Sequence, residues 1–105
     1  MLSINETQDL IIEEFEQFND WLDRYSLLID YGNALPEFAE AERNSQNLIE
    51  GCQSSVWFTA RMLDGKVHFE GDSDALLVKG MVALLLKVLS DHTPEEILEA
   101  DLYMI

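Results

Sequence analysis

The sequence is poor in cysteine, basic residues and long apolar runs, and each shortage argues against a class of structure or partner. A single cysteine, Cys52, means that no disulfide can form within the 105 residues, so we expect a reducing, cytoplasmic setting. The longest apolar stretch, residues 75–89, is too short to span a bilayer. The N-terminus has no basic region followed by an apolar run, so no signal peptide is expected.

Basic residues are scarce as well. Six of them stand against 21 acidic ones, and a formal net charge of −15 disfavours nucleic acid and anionic lipid as partners. The acids are spread over both halves of the chain, which indicates an acidic surface and not an acidic tail. Such a surface would suit a partner with a basic docking face, or it would serve solubility alone.

What the chain does contain is the composition of one small globular domain. Apolar residues make up 48% of the sequence and aromatic residues 10%, enough for a core within a single domain over residues 1–105. No internal repeat or low-complexity segment divides the chain.

Apolar side chains at alternating steps of four and three residues predict a helical N-terminal third. The stripe consists of Ile11, Phe15, Phe18, Leu22, Tyr25 and Ile29. Because Asp20 is a good N-cap, we expect two helices that wrap a small core in preference to one continuous helix. A capping box at Ser3 and Glu6, or a cap two residues later, would start the first helix, and Gly32 would end the second.

Alternating apolar residues on both sides of a central Asp-Gly predict a β-hairpin over residues 55–71 with a two-residue turn. A turn of that length pairs Leu63 with Lys66. The inner face then carries Phe58, Ala60, Met62, Val67, Phe69 and Gly71. His68 falls on the outer, solvated face. Before the hairpin, a connector over residues 33–47 leads into a short strand near residues 47–50.

Two helices are expected after the hairpin. Residues 72–74 (Asp-Ser-Asp) precede an almost wholly apolar segment, residues 75–89, so one of these polar side chains would cap a helix that is covered on more than one side. Gly80 within that helix indicates the close approach of another backbone. A capping box with proline, residues 93–96, begins a last helix that extends to Leu102.

Cys52 lies in a small polar stretch between two apolar segments. Gly51 permits backbone angles that other residues avoid, and Gln53 and Ser54 offer polar contacts instead of an apolar wall. These neighbours predict an exposed thiol at a loop tip. A buried structural cysteine is the commoner role for a lone cysteine, and the local sequence leaves the two readings about equally supported.

Two motifs together resemble the SufE/CsdE family, the sulfur acceptors of iron–sulfur cluster assembly. The first motif covers residues 50–57 around Cys52, and the second covers residues 71–80. The segment Trp21 to Gly32 is also similar to the N-terminal region of that family. The resemblance extends over most of the chain, from about Phe15 to Tyr103.

The resemblance implies an α+β fold similar to that of the scaffold protein IscU. A small antiparallel sheet, formed by the hairpin at 55–71 and the short strand near 47–50, would pack against helices. Family members usually continue into further C-terminal helices. The expectation is therefore a single SufE-like domain over residues 1–105 that is shortened at its C-terminus.

In the family, the cysteine that matches Cys52 takes sulfane sulfur from a persulfide on a pyridoxal-phosphate cysteine desulfurase of the SufS or CsdA type. It then passes the sulfur to an iron–sulfur scaffold complex. The resemblance thus implies a sulfur carrier that activates its desulfurase, not an enzyme, with no cofactor or metal of its own. The loop and docking surface would comprise Glu50, Gly51, Gln53, Ser54, Asp72, Ser73 and Asp74.

Two other functions compete with sulfur transfer. A metal or cluster scaffold could use Cys52 with His68, His92 or the pair Asp72 and Asp74, but such sites normally gather three or four soft ligands. An acidic interaction domain would leave Cys52 incidental. Standalone catalysis is the weakest reading, because no nucleophile, base and orienting group occur at a recognisable spacing.

We predict that Cys52 of the isolated protein reacts slowly with iodoacetamide. The thiolate is the reactive form, and no Lys or Arg occurs in the sequence between Arg43 and Arg61, while Glu50 is two residues away. Activation would then come from docking on the desulfurase. The second-order rate constant at neutral pH should not exceed that of glutathione measured alongside; a much faster reaction would contradict the hypothesis.

Overall fold

The structure, a computed structural model, describes residues 1–49 and 54–105 and has an α+β fold, as the sequence predicts. The described residues form these elements: α1 (Ile4–Glu16), α2 (Trp21–Asn33), a 3₁₀ turn (Glu40–Glu42), β1 (Val56–Leu63), β2 (Lys66–Ser73), α3 (Leu76–Leu89) and α4 (Pro94–Leu98). The two strands form an antiparallel sheet. None of the helices in these two ranges is both long and apolar enough to cross a membrane.

The N-terminal third forms two helices, and their caps are the predicted ones. At the start of α1 the Ser3 hydroxyl accepts from the Glu6 N–H at 3.0 Å, and the Glu6 carboxylate accepts from the Ser3 N–H at 2.9 Å. Asp20 caps α2 by accepting from the Leu22 N–H at 2.9 Å. The prediction that Leu22 belongs to the buried stripe is wrong, since 70% of it is exposed. After the chain bends at Asp20, a single stripe no longer faces one core.

Helices α2 and α3 approach each other through two glycines. A Cβ atom on Gly80 would collide with the backbone carbonyl of Leu28, and a Cβ atom on Gly32 would lie 2.9 Å from the backbone nitrogen of Gly80. The prediction of close backbone approach at Gly80 is confirmed. The prediction that Gly32 ends α2 is wrong, because the helix continues to Asn33 and Gly32 provides the contact surface.

The hairpin has the predicted register. Leu63 pairs with Lys66 and Phe58 with Gly71, and the turn residues Asp64 and Gly65 have φ angles of 51° and 78°. Two successive residues with positive φ are the requirement of a type I′ turn, which Asp-Gly satisfies readily. His68 pairs with Arg61, as expected for the outer face.

Both edges of the hairpin receive short backbone contacts. On β1, Leu48 forms an isolated antiparallel bridge with Trp57, so the strand expected near residues 47–50 occurs as a single bridge; residue 50 itself lies outside the described residues. On β2, Val67 forms a bridge with His92. The sheet therefore has two strands with a bridge on each side.

Helix α3 supplies residues to two small cores. One contains Val56, Val82 and Leu86, and the other contains Ile4, Ile11 and Val88. The expectation that α3 is covered on more than one side is confirmed, since α2, β2 and α1 all pack against it, although Leu76 is 61% and Met81 53% exposed. The inner face of the hairpin is buried only at its Val56 end, and Met62 at the other end is 56% exposed.

The chain after α4 is held by hydrogen bonds instead of continuing as a helix. The capping box at Thr93 and Glu96 is present, but α4 ends at Leu98, so the predicted extension to Leu102 is wrong. The side chain of Gln8, fully buried, donates to the Asp101 carbonyl at 2.9 Å and accepts from the Met104 N–H at 3.2 Å. A buried amide that needs partners thus binds this segment in a non-helical form.

We predict that Gly80→Ala lowers the free energy of unfolding by about 2 kcal/mol, because the new methyl group would displace the Leu28 carbonyl. In an ordinary helix interior the same change is favourable by about 1 kcal/mol. Urea denaturation followed by circular dichroism measures the difference. Ser26→Ala, at an exposed position of α2, is the control and should change stability by less than about 0.5 kcal/mol. A Gly80→Ala variant as stable as the native protein would contradict this contact.

Candidate functional site

The structure describes the chain on both sides of residues 50–53, the segment that the sequence predicts to be the cysteine loop, but not these four residues. Glu50, Gly51, Cys52 and Gln53 lie outside the described residues. The description resumes at Ser54, which is half-buried. The remaining candidates, residues 72–74, are described in full and lie at the end of β2 and just beyond it.

The chain that leaves the loop is attached to residues Ser73 and Asp74. The Ser55 N–H donates to Asp74 Oδ1 at 3.1 Å. The Ser55 carbonyl accepts from the Ser73 hydroxyl at 2.9 Å and from the Asp74 N–H at 3.3 Å. We call Ser54 and Ser55, held in this way, the exit arm of the loop.

These contacts explain why the predicted cap of α3 is wrong. The N-cap position is Ala75, which has no side chain able to cap, and α3 begins at Leu76. The side chains of Ser73 and Asp74 both bind Ser55, and the Ser73 hydroxyl also accepts from the N–H of Ala75, at 3.3 Å, which precedes the first residue of the helix. Residues of these types often cap helices, but at this position their side chains bind Ser55, on the other side of the hairpin.

The chain that enters the loop is attached to β1 and to the 3₁₀ turn. The Phe58 N–H donates to the Asn47 carbonyl at 3.0 Å, and the Ile49 N–H donates to the Val56 carbonyl at 2.9 Å. The Asn47 side chain donates to the carbonyl and to the carboxylate of Glu42, each at 2.9 Å. We call residues 44–49 the entry arm.

The carboxylate of Asp72 is linked to both arms, through Arg43, which directly precedes the entry arm, and through Ser73, which binds the exit arm. Asp72 is only 6% exposed, and two cations reach it: Arg43 Nη2 is 2.5 Å from Oδ2, and Lys79 Nζ is 3.4 Å from Oδ1. The Ser73 N–H also donates to Oδ1 at 2.8 Å. One carboxylate thus links the connector, β2 and α3.

Arg43 makes further contacts around that ion pair. Its guanidinium lies 5.2 Å from the centre of the Trp57 ring and 5.4 Å from that of Phe38, and its Nε is 3.1 Å from a carboxylate oxygen of Glu40. Phe38 is itself buried. Arg43 is not among the residues that the sequence predicts for the site. One feature of the sequence could have identified it: Arg43 ends an acidic run, in a chain that has only six basic residues.

Electrostatics keep Asp72 ionised in spite of its burial. Burial by itself disfavours the charged form, but the hydrogen bonds from Arg43 and from the Ser73 N–H, with the nearby charge of Lys79, outweigh it and hold the pKa of Asp72 below its usual range. Reciprocally, the hydrogen bond to Asp72 raises the pKa of Arg43. The pair therefore remains charged throughout the neutral range.

Both histidines are engaged with carboxylates. His68 Nδ1 lies 2.8 Å from Asp91, and the buried His92 has its Nδ1 3.1 Å from Glu96. Among the residues that the structure describes, no three His, Cys, Asp or Glu side chains are placed to hold a metal ion together. Cys52 falls outside that statement.

Residues 9–105 match the family SufE, described as an Fe-S metabolism associated domain. An uncharacterized SufE-like protein of Synechocystis sp. is 46% identical over 89 residues, which are 85% of this chain and 56% of that protein. An uncharacterized SufE-like protein of Rhizobium etli is 41% identical over 101 residues, 92% of this chain and 68% of that protein. The chain thus spans little more than half the length of the Synechocystis relative.

A solved structure has the same fold. The solution structure of a hypothetical protein from Thermus thermophilus superimposes with a TM-score of 0.70, covering 90% of this chain and 69% of that one. Sequence identity is 23%, so this similarity shows the fold alone.

We predict that Asp72→Asn destabilises the protein in a pH-dependent way. Because the folded-state pKa is depressed, the stabilisation is fully present above the ordinary Asp pKa of about 3.9 and is lost as the pH falls through the lower folded value. The variant should lose about 2 kcal/mol of unfolding free energy at pH 7, and the gap to the native protein should begin to narrow below about pH 4 and continue to narrow as the pH falls further. Urea denaturation across a pH series tests this, with the exposed Asp30→Asn as charge-matched control. A gap that persists unchanged into acid would contradict the ion pair.

Proposed function

We propose that this chain, which belongs to the SufE family of Fe-S metabolism associated domains, is a sulfur acceptor that receives sulfane sulfur on Cys52. The observation that carries the proposal is the family match over residues 9–105, a range that includes the one cysteine of the chain. Persulfide formation needs a thiol, and no second thiol is available to take its place.

The transfer exchanges one disulfide-type bond for another. Cys52 loses its proton, and its thiolate attacks the outer sulfur of a persulfide held by a cysteine desulfurase. The donor S–S bond breaks, its electron pair leaves with the cysteine sulfur of the desulfurase as a thiolate, and a new S–S bond forms on Cys52. No oxidant or reductant is consumed. Passing the sulfur to a thiolate of an iron–sulfur scaffold complex repeats the same exchange.

The two arms support this role because they fix both ends of the loop. Cys52 follows Ile49 by three residues and precedes Ser55 by three, and both of these residues hydrogen-bond to the hairpin or to the residue that follows it. Anchors so close to the thiol reduce the conformational freedom lost when the loop meets its partner.

The charges around the arms favour a basic docking face on the desulfurase. Glu40, Glu42 and Asp74 are exposed there, in a chain whose net charge is −15. Opposite charges across an interface accelerate encounter and align the partners. Asp72 and Ser73 are buried at 6% and 7% exposure, so in this proposal they support the arms from below, and Asp74 offers its carboxylate to the partner.

We predict that the native chain gains the mass of one sulfur atom when incubated with a cysteine desulfurase, pyridoxal phosphate and L-cysteine. Cys52→Ser should gain none, because the hydroxyl cannot form a persulfide. Intact-mass spectrometry measures the adduct, and a thiol reductant should remove it. The native chain should also accelerate alanine release by the desulfurase, and the variant should not.

The desulfurase must itself be active, which its alanine production without any acceptor demonstrates. With such an enzyme, a native chain that takes no sulfur would contradict the acceptor role. Sulfur on the Cys52→Ser variant would show that the adduct is not a persulfide of Cys52. Retention of cellular function by the variant would favour an acidic interaction domain in which the cysteine is incidental.

A further inference from the structure

We propose that Arg43 is a positioning residue for the Cys52 loop: it holds the entry arm against the hairpin and thereby sets the rate at which Cys52 accepts sulfur. The part that concerns the rate rests on the proposed function. The part that concerns the arm rests on contacts of described residues alone.

Arg43 joins three separate parts of the chain at one point. Its own segment follows the 3₁₀ turn, its Nη2 reaches Asp72 on β2, and its guanidinium face lies over Trp57 on β1. The partners are on neighbouring strands, since Trp57 and Asp72 are paired in the sheet. Arg43 therefore fixes the connector to the pair of residues next to the loop end of the hairpin.

The entry arm begins directly after Arg43. Asn44 Oδ1 accepts from the N–H groups of Gln46 and Asn47 at 3.1 and 3.2 Å, which folds the arm into a tight turn. The far end of that turn, Asn47, returns to Glu42 through its side chain. The turn therefore closes onto the residue before Arg43, and the Arg43 side chain connects this region to the buried carboxylate.

The geometry requires an arginine and not merely a positive charge. Arg43 uses Nη2 for Asp72 and Nε for Glu40 while its flat face covers Trp57. A planar guanidinium can make all three contacts together, whereas an ammonium group can replace only the charge. Lys79 shows the difference: it reaches the same carboxylate at 3.4 Å but comes from α3 and has no connection with the entry arm.

Hydrogen exchange tests the arm without any partner protein. In Arg43→Gln the amides of Ile49 and Phe58, which form the hydrogen bonds of the entry arm, should exchange about tenfold faster than in the native chain. Lys79→Gln removes a cation from the same carboxylate and should change them by less than about twofold. Amides in the middle of α3 report any loss of global stability, and in Arg43→Gln the acceleration at Ile49 and Phe58 should exceed theirs.

Sulfur transfer under single-turnover conditions tests the consequence. At saturating desulfurase the maximal rate for Arg43→Gln should fall by about tenfold or more, since small displacements of a reacting group have effects of that size. The desulfurase concentration at half-maximal rate should change by less than about twofold, because every carboxylate of the proposed docking face is retained and Glu40 loses only its contact with Arg43. Arg43→Lys should recover part of the rate. Arg61→Gln, which removes an exposed cation from β1, controls for net charge.

Unchanged exchange at Ile49 and Phe58 in a folded Arg43→Gln variant would overturn the proposal, and so would a native maximal rate in a variant whose arm exchanges fast. If Arg43→Gln does not fold, as judged by circular dichroism, Arg43→Lys takes its place, with changes in the same direction and of smaller size expected. If the native chain accepts no sulfur, the proposed function fails, whereas the exchange comparison still decides whether Arg43 holds the arm.

Discussion

The carboxylate of Asp72 is the constraint on which the region around the loop depends. An ionised carboxylate withdrawn from water is costly unless cations and hydrogen-bond donors compensate it. In a chain with 21 acidic residues and six basic ones, two of the basic residues, Arg43 and Lys79, are committed to this one carboxylate. Since they come from the connector and from α3, satisfying one buried charge brings three parts of the chain together.

The glycine contact between α2 and α3 complements that ion pair. With no side chain at Gly32 or Gly80, the two helices approach closely, and α3 packs against β2. Helix α3 starts only three residues after β2 ends, so its position also places the end of the hairpin. Helix packing thus positions α3 and the hairpin, and the ion pair of Asp72 with Arg43 attaches the entry arm to them. The exit arm is attached separately, by the hydrogen bonds of Ser73 and Asp74 to Ser55.

Predictions from sequence succeeded where the partners are local and failed where a distant group competes. The caps at Ser3 and Thr93 and the turn at Asp64 follow from residues within a few positions, and all three are present. Serine is a common helix cap, yet the Ser73 hydroxyl donates to the Ser55 carbonyl across the hairpin. The helical pattern beyond Leu98 is similarly replaced by hydrogen bonds to Gln8. Propensity alone does not reveal such partners.

The sequence by itself determined the hairpin register, the starts of α1, α2 and α4, and the family, because each depends on a short pattern: a two-residue turn, a helix cap, or the motif around Cys52. Only the tertiary structure decided that Arg43 meets Asp72 and Trp57, and that residues 73 and 74 bind the exit arm. The physical reason is distance along the chain. The partners of a buried charge are the groups that the fold brings within a few ångströms of it, and a short sequence pattern does not show which groups these are.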